Sequence, residues 1–221
     1  RELSRSGNLD FNKKVIGTFQ LLKQKFSWNG EYKLYSENLD KVLKTGTGSN
    51  ADLNFIFIGM LKSFGIKAYP VVMSRRSAGM LPVSFPSLQK LNTFVVAIYD
   101  EVKGKYVYLD GSMDIPALNV LPVELSVTKA RILSADIPEN KKWVNLQEIP
   151  TNQIFMKISA NAQGSQITGR RTTILKGHDA LGYRKEYQTK DSLVNKQELV
   201  KEKLAISNLK RTEMELSLIH I

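Results

Sequence analysis

Asn50 stands at the start of a segment, residues 51–64, that is apolar on nearly every side and therefore predicts a central, buried helix. The start of such a helix offers unpaired N–H groups and a partial positive charge. A cysteine there would be a reactive thiolate, a histidine on a neighbouring strand could serve as its base, and an acid on the next strand could orient that histidine. The chain has no cysteine, however, and its only histidines are His178 and His220. This composition excludes a cysteine nucleophile, a disulfide and a thiolate metal site, and we predict neither a metal nor a cofactor.

Four segments resemble, in order and spacing, the transglutaminase-like family of the papain-related superfamily. Residues 48–52 resemble the family's Gly-x-Cys helix start, and residues 61–68 resemble the exit of that helix through a Gly-Ile-x-Ala motif. Residues 91–99 and 106–112 resemble the strands that carry the family's histidine and aspartate. With the first helix, the resemblance covers more than half of the chain. It implies a papain-like fold.

The departures from the family pattern decide what the resemblance implies about activity. The family's cysteine position falls on Asn50, its histidine position falls on Asn92, and only the third member of the triad is kept, as Asp110. A carboxamide is not a useful nucleophile and does not accept and release a proton near neutral pH. We therefore predict no catalytic residue. Ser49, Asn50, Asn92 and Asp110 are instead the candidate binding residues of a non-catalytic binding or scaffolding module.

Each of these residues also has a simpler structural interpretation. Asn50 fits the N-cap of the predicted helix, and Asp52 fits a first-turn charge that the helix dipole favours. Asp110 fits a structural acceptor at the end of a strand. Asn92 is either the residue that begins a strand or a hydrogen-bond partner of Asp110, and the sequence leaves both open. A binding module would have Asn50, Asn92 and Asp110 hydrogen-bonded to one another, with the loop 75–90 over them.

The competing hypothesis is a peptidase, amidase or transglutaminase-type acyl-transfer enzyme with an atypical nucleophile. Ser49 is the candidate, but a serine nucleophile needs a base. His178 is the only serious choice, and its Gly177-His178-Asp179 context favours a loop or turn histidine.

The surrounding pattern predicts an α+β fold. Apolar residues at steps of three and four predict a helix over residues 10–26, and a short helix is expected over 38–43. Strands are predicted over 66–74, 93–99, 105–109 and 129–133, with Pro70 indicating an edge strand or a bulge. Helices followed by such strands predict helices packed on an antiparallel sheet.

Near Pro150 the pattern changes to two strands, over 154–159 and 166–175, and a last helix over 192–209. We therefore predict two domains: a transglutaminase-like domain over 1–145 and a smaller β-rich module with a C-terminal helix over 146–221. Because the chain begins at Arg1 rather than at methionine, we expect a piece of a longer protein. The resemblance implies a parent protein of the bacterial cell envelope or periplasm.

The charge and hydropathy pattern limits the classes of partner that we predict for the chain. The chain has 221 residues with 32 Lys and Arg against 21 Asp and Glu, a formal net charge of +11. The basic residues are spread along the chain rather than gathered in a stripe, so no specific nucleic-acid partner is predicted. No apolar run approaches the roughly 20 residues that a membrane-spanning helix needs. The expected partners are a peptide, a protein or a glycan, and the rest of the parent polypeptide.

Overall fold

The computed structural model describes residues 11–82, 87–149, 152–164 and 166–189. The chain divides into two compact units, Arg1–Pro150 and Thr151–Ile221, and each is described here by itself.

The first unit begins with three helices. They are α1 (Phe11–Lys25), α2 (Leu39–Thr45) and α3 (Asn50–Ser63). Two very short strands, β1 (Ser27–Trp28) and β2 (Thr47–Gly48), pair in parallel just before α3. Gly46 ends α2 with φ at +72°, a left-handed conformation that favours glycine. This turn leads the chain from α2 through β2 into the start of α3.

A five-stranded antiparallel sheet follows α3. Its strands are β3 (Ala68–Met73), β4 (Thr93–Asp100), β5 (Lys105–Leu109), β6 (Ala130–Ile132) and β7 (Trp143–Val144). Their order across the sheet is β5-β4-β3-β6-β7. Single turns of 3₁₀ helix lie at Arg76–Ala78, Leu88–Lys90, Val123–Leu125 and Glu139–Lys141. The order of helices before an antiparallel sheet confirms the α+β class.

The prediction that Pro70 marks an edge or a bulge is wrong, because β3 is the central strand of the sheet. Pro70 lies opposite Val96 of β4, and its carbonyl accepts a hydrogen bond from the N–H of Leu133 at 2.8 Å. The N and C=O of one strand residue point to the same side, so the missing N–H of Pro70 faces β6. The paired residues of β3 and β6 begin at Val71, so the missing N–H of Pro70 lies at the end of that ladder and leaves its interior intact.

Both faces of the sheet are covered. On one face α3 packs against β3 and β4, and α1 packs on α3. The Phe19 and Phe57 rings meet edge to face at 5.8 Å between α1 and α3, and Phe55 contacts Phe94 of β4 at 4.8 Å. On the opposite face, sheet residues pack with residues of the loops after β5 in one apolar cluster. Its members are Val71, Met73, Val95, Ala97, Tyr108, Leu121, Leu125, Val127, Ala130, Ile132, Ile137 and Leu146. The start of α3 therefore packs against a sheet that is covered on both faces.

The second unit contains a long hairpin and one helix. Strand β8 (Gln153–Gln163) pairs antiparallel with β9 (Gln166–Lys176), and α4 (His178–Gln188) packs against β9. The sequence placed a helix over 192–209, which lies outside the described residues, and it did not predict α4. The interpretation of His178 as a loop or turn histidine is wrong, since His178 is the first residue of α4.

Candidate functional site

Ser49, and not Asn50, is the N-cap of α3. The Ser49 hydroxyl accepts from the N–H of Asp52 at 3.3 Å, and the Asp52 carboxylate accepts from the N–H of Ser49 at 2.8 Å. This reciprocal pair is a capping box. The Ser49 hydroxyl also donates to Asp52 Oδ2 at 2.7 Å, and only 2% of Ser49 is exposed. The candidate nucleophile is therefore engaged in stabilising the helix start.

Asn50 is the first residue of α3 and is completely buried. Its Oδ1 accepts from the N–H of Lys33 at 2.7 Å, while its Nδ2 donates to Thr93 Oγ1 at 2.6 Å and to the carbonyl of Phe94 at 3.2 Å. Its own N–H donates to the carbonyl of Glu31 at 3.0 Å. The segment 31–33 therefore lies over the start of α3, where the expectation had placed the loop 75–90.

A second asparagine, Asn54, lies one helical turn further along α3 and is also completely buried. Its Nδ2 donates to the Phe94 carbonyl at 2.8 Å and to Asp110 Oδ1 at 3.0 Å. Its Oδ1 accepts from the N–H of Gly111 at 2.6 Å. Because Asn50 and Asn54 share the Phe94 carbonyl, one connected hydrogen-bond network joins the start of α3 to β4 and to the end of β5. We call these residues the amide network: Asn50, Asn54, Thr93, Phe94 and Asp110.

Asp110 is the last residue of the network and lies just after β5, where it accepts from Asn54. The residue is fully buried, and Ser112 donates to its carboxylate through both the hydroxyl and the backbone N–H. Burial raises the pKa of Asp110 above its ordinary value because desolvation disfavours the charged carboxylate. The hydrogen bonds from Ser112 and Asn54, and the positive charge of Lys23, oppose that shift in pKa.

Asn92 lies at the start of β4 and makes no bond with Asn50 or Asp110. Its Oδ1 accepts from the backbone N–H of Arg75 at 3.0 Å, and its own N–H donates to the carbonyl of Met73 at 3.1 Å. The neighbouring residue Thr93 contacts Asn50 instead. The structure thus brings Asn50 and Asp110 into one network, through Asn54, and leaves Asn92 outside it.

The sequence did not indicate Asn54 and Thr93, although both belong to the amide network. Asn54 could have been found, because residues four apart on a helix lie on the same face. A second buried asparagine on that face needs hydrogen-bond partners, and these must come from the sheet. The choice of Thr93 over Asn92 depends on the register of β4, which a single sequence does not determine.

An aromatic and cationic rim lies on the surface beside the network, formed by Trp28, Tyr32 and Arg75. The Trp28 and Tyr32 rings have their centroids 5.0 Å apart, and the Arg75 guanidinium lies 5.1 Å from the centroid of Tyr32. All three side chains are half-buried. Burial, with smaller contributions from Asp110 and Glu124, raises the pKa of Tyr32 to about 12. The Tyr32 hydroxyl is therefore neutral at physiological pH and can act as a hydrogen-bond donor.

No family model, curated protein or solved structure matches this chain. The transglutaminase-like resemblance therefore stays a prediction. Among the residues whose placement is described, no group of three or more His, Cys, Asp or Glu side chains could hold a metal ion. No helix in the described part of the chain is long and apolar enough to cross a bilayer.

Proposed function

We propose that the first unit is a non-catalytic, transglutaminase-like module with a papain-like core, which binds or scaffolds within a larger bacterial envelope protein. One observation carries the proposal: the side chain of Asn50, at the start of the central helix, is completely buried and bonded through both of its amide atoms. A reactive side chain at this position would need an open approach for substrate and a base within hydrogen-bond reach. Asn50 has neither feature.

The contacts of Ser49 speak against the enzyme alternative. The hydroxyl bonds to Asp52 within its own capping box, and Ser49 is almost fully buried. Asp52 already accepts the backbone N–H of Ser49, so its carboxylate acts as a structural cap. A serine in this position has no imidazole partner among its hydrogen bonds in the first unit.

The exposure of the candidate residues indicates where a ligand would bind. Of the four candidate binding residues, Ser49, Asn50 and Asp110 are buried, and Asn92 alone is partly exposed. Asn92 bonds to the backbone of Arg75, which belongs to the aromatic and cationic rim. Aromatic faces beside a guanidinium are suited to a peptide or a glycan, since both can stack on rings and accept hydrogen bonds. We place the ligand of this module at the rim, with the buried amides as its support.

Catalytic silence is tested by amidase, peptidase and transamidation assays on the purified chain and on its Ser49→Ala and Asp110→Ala variants. Ser63→Ala, an exposed serine near the end of the same helix, is the matched control. We expect no turnover by any of the four proteins. Turnover that survives in Ser63→Ala but disappears in Ser49→Ala or Asp110→Ala would overturn the proposal, whereas turnover equal in all four indicates a contaminating enzyme.

Restoring the reactive groups tests the family relationship itself. If Asn50 occupies the cysteine position, a thiol there should lie beside an imidazole at Asn92, which the family pattern aligns with its histidine, or at Thr93, which contacts Asn50. We therefore expect one of two double variants, Asn50→Cys with Asn92→His or Asn50→Cys with Thr93→His, to lower the thiol pKa below the ordinary value of about 8.5. The ultraviolet absorbance of the thiolate measures that pKa without reagent access to the buried residue. Asn50→Cys alone is the control, circular dichroism checks folding, and a thiol pKa equal to that of the control in both double variants would contradict the proposal.

A further inference from the structure

The hairpin of the second unit leaves large apolar side chains exposed, and three of them lie on one face of β8. Ile154, Met156 and Ile158 alternate along β8, so all three project from the same face, and they are 61%, 44% and 65% exposed. Their partners on β9 are Leu175, Thr173 and Arg171, which are half-buried. Directly paired residues share a face, and the partial burial of these β9 residues indicates that α4 packs on the β9 side of this face. No described element of the second unit covers the β8 side. We call Ile154, Met156 and Ile158 the β8 stripe.

No strand of the described residues pairs with the outer edge of β8 beside that stripe. Among the described residues of the second unit, β8 pairs with β9 alone, over all eleven residues of the strand. An exposed strand edge presents a row of N–H and C=O groups that can pair with another strand. Helix α4 packs on β9 and stabilises that side of the hairpin, whereas no described element of the second unit covers the β8 edge. The hairpin therefore has both the backbone groups and the apolar surface to accept one.

The charges of the hairpin indicate which kind of strand it would accept. Four basic residues and no acidic residue occur from Gln153 to Lys176, and Lys157 is the one on β8. Phe155 and Lys157 project from the face opposite the β8 stripe, and both are exposed. A strand laid beside β8 would place every second side chain next to the β8 stripe and the others next to Phe155 and Lys157. A second copy of the hairpin would bring like charges together, which disfavours pairing between two copies.

We propose that the free edge of β8 binds an extended partner strand in which apolar and acidic residues alternate. The apolar side chains of that strand pack on the β8 stripe, its carboxylates lie beside Lys157, and its backbone continues the sheet. This is strand addition, in which backbone hydrogen bonds supply affinity and alternate side chains supply specificity. The inference depends on the second unit alone and is independent of the function proposed for the first.

The test uses the full chain and a synthetic peptide in which glutamate and valine alternate. Two control peptides separate the contributions: one alternates lysine with valine, and the other alternates glutamate with serine. We expect measurable binding by isothermal titration for the glutamate–valine peptide alone, with an affinity that falls as salt is raised. Hydrogen exchange of the β8 amides should slow on binding, while exchange in β4 should stay unchanged.

Variants locate the binding surface. Ile158→Ser should weaken the glutamate–valine peptide about tenfold, because the apolar area that the isoleucine buries on binding is lost. Val102→Ser is the matched control, since Val102 is 91% exposed in the β4–β5 turn of the first unit, and it should leave the affinity unchanged. Lys157→Gln should weaken binding and reduce its salt dependence, whereas Lys105→Gln should do neither.

Several results would overturn the inference. Equal binding of the lysine–valine peptide would remove the role of charge, and equal binding of the glutamate–serine peptide would remove the role of the stripe. Self-association of the chain that Ile158→Ser abolishes would make a second copy the occupant. No binding of any peptide would mean that the edge is not open in solution.

Discussion

Truncation of Asn54 to alanine removes the residue that connects α3 to both β4 and Asp110. Three hydrogen bonds are lost: two donated by Nδ2, to Phe94 and Asp110, and one accepted by Oδ1 from the N–H of Gly111. The Phe94 carbonyl keeps its bond from Asn50, so its loss is small. The Gly111 N–H is left buried without this partner, at a cost of about 1–3 kcal/mol, and the bond to Asp110 is worth about 1.5–3 kcal/mol when that carboxyl is ionised. We therefore expect the free energy of unfolding to fall by about 4 kcal/mol, a large share of the roughly 5–15 kcal/mol of a typical domain.

Urea unfolding followed by tryptophan fluorescence measures this loss in the first unit alone. Both tryptophans of the chain, Trp28 and Trp143, belong to that unit. With a slope of about 2 kcal/mol per molar urea, a loss of about 4 kcal/mol lowers the midpoint by about 2 M. Asn140→Ala, at an exposed asparagine, is the control and should change stability by less than about 0.5 kcal/mol.

The cost of Asn54→Ala should also depend on pH, with a sign fixed by Asp110. Burial raises the pKa of Asp110 in the folded chain above its ordinary value, and the bond from Asn54 opposes that shift. The folded chain therefore binds this proton more tightly than the unfolded chain, and the stability from that proton is lost as pH rises through the folded pKa. Asn54→Ala raises the folded pKa further, so its destabilising effect should grow as pH rises through the folded pKa of Asp110 in the natural chain. An effect equal to that of Asn140→Ala, or one that shrinks with rising pH, would refute this reasoning.

Three further predictions concern the same region. Thr93→Val should lower the free energy of unfolding by about 1–3 kcal/mol, because it removes an acceptor of the buried Asn50 amide. Asn92→Ala, at a half-exposed position, should cost less than Thr93→Val. Urea denaturation gives both values, and the reverse order would contradict the register of β4. Gly111→Ala should destabilise the first unit by about 1–3 kcal/mol. A Cβ at this position would lie 3.0 Å from Asn54 Oδ1 and 3.2 Å from the backbone of Leu53 in α3. Thermal unfolding measures this loss. Asp110→Asn should become more stable relative to the natural chain as pH rises above about 4, because the variant has no carboxyl with a raised pKa. A stability difference that does not change with pH would show that Asp110 is not desolvated.

The first-unit elements that the sequence predicted well are those whose pattern and ends are both local. The helix predicted over 51–64 begins next to a Ser49–Asp52 capping box and is followed by Gly65, whose φ is +75°. The strands predicted over 93–99 and 105–109 are present as β4 and β5, within one residue of the predicted bounds. Their turn contains Gly104, with φ at +63°. Such signals act within a few residues, so a single sequence contains them.

The candidate site could be predicted only in part, because its contacts are long-range. Asn92 and Thr93 are adjacent in sequence, and a shift of one residue in strand register exchanges which of them meets Asn50. Helix α4 was missed because its sequence contains Gly182 and only a short apolar face around Ala180 and Leu181, so packing on β9 contributes what its periodicity lacks. The position of β3 at the centre of the sheet likewise depends on β6, which is far away in sequence.

Hydrogen exchange of the side-chain amides tests the closed amide network most directly. In heteronuclear NMR spectra of the chain, the NH₂ signals of Asn50 and Asn54 can be assigned by their absence in Asn50→Ala and Asn54→Ala. Because both amides are completely buried and hydrogen-bonded, exchange requires the unit to open, and we predict protection comparable with that of the β4 backbone amides. Exchange of either signal as fast as that of the exposed Asn140 amide would contradict the account.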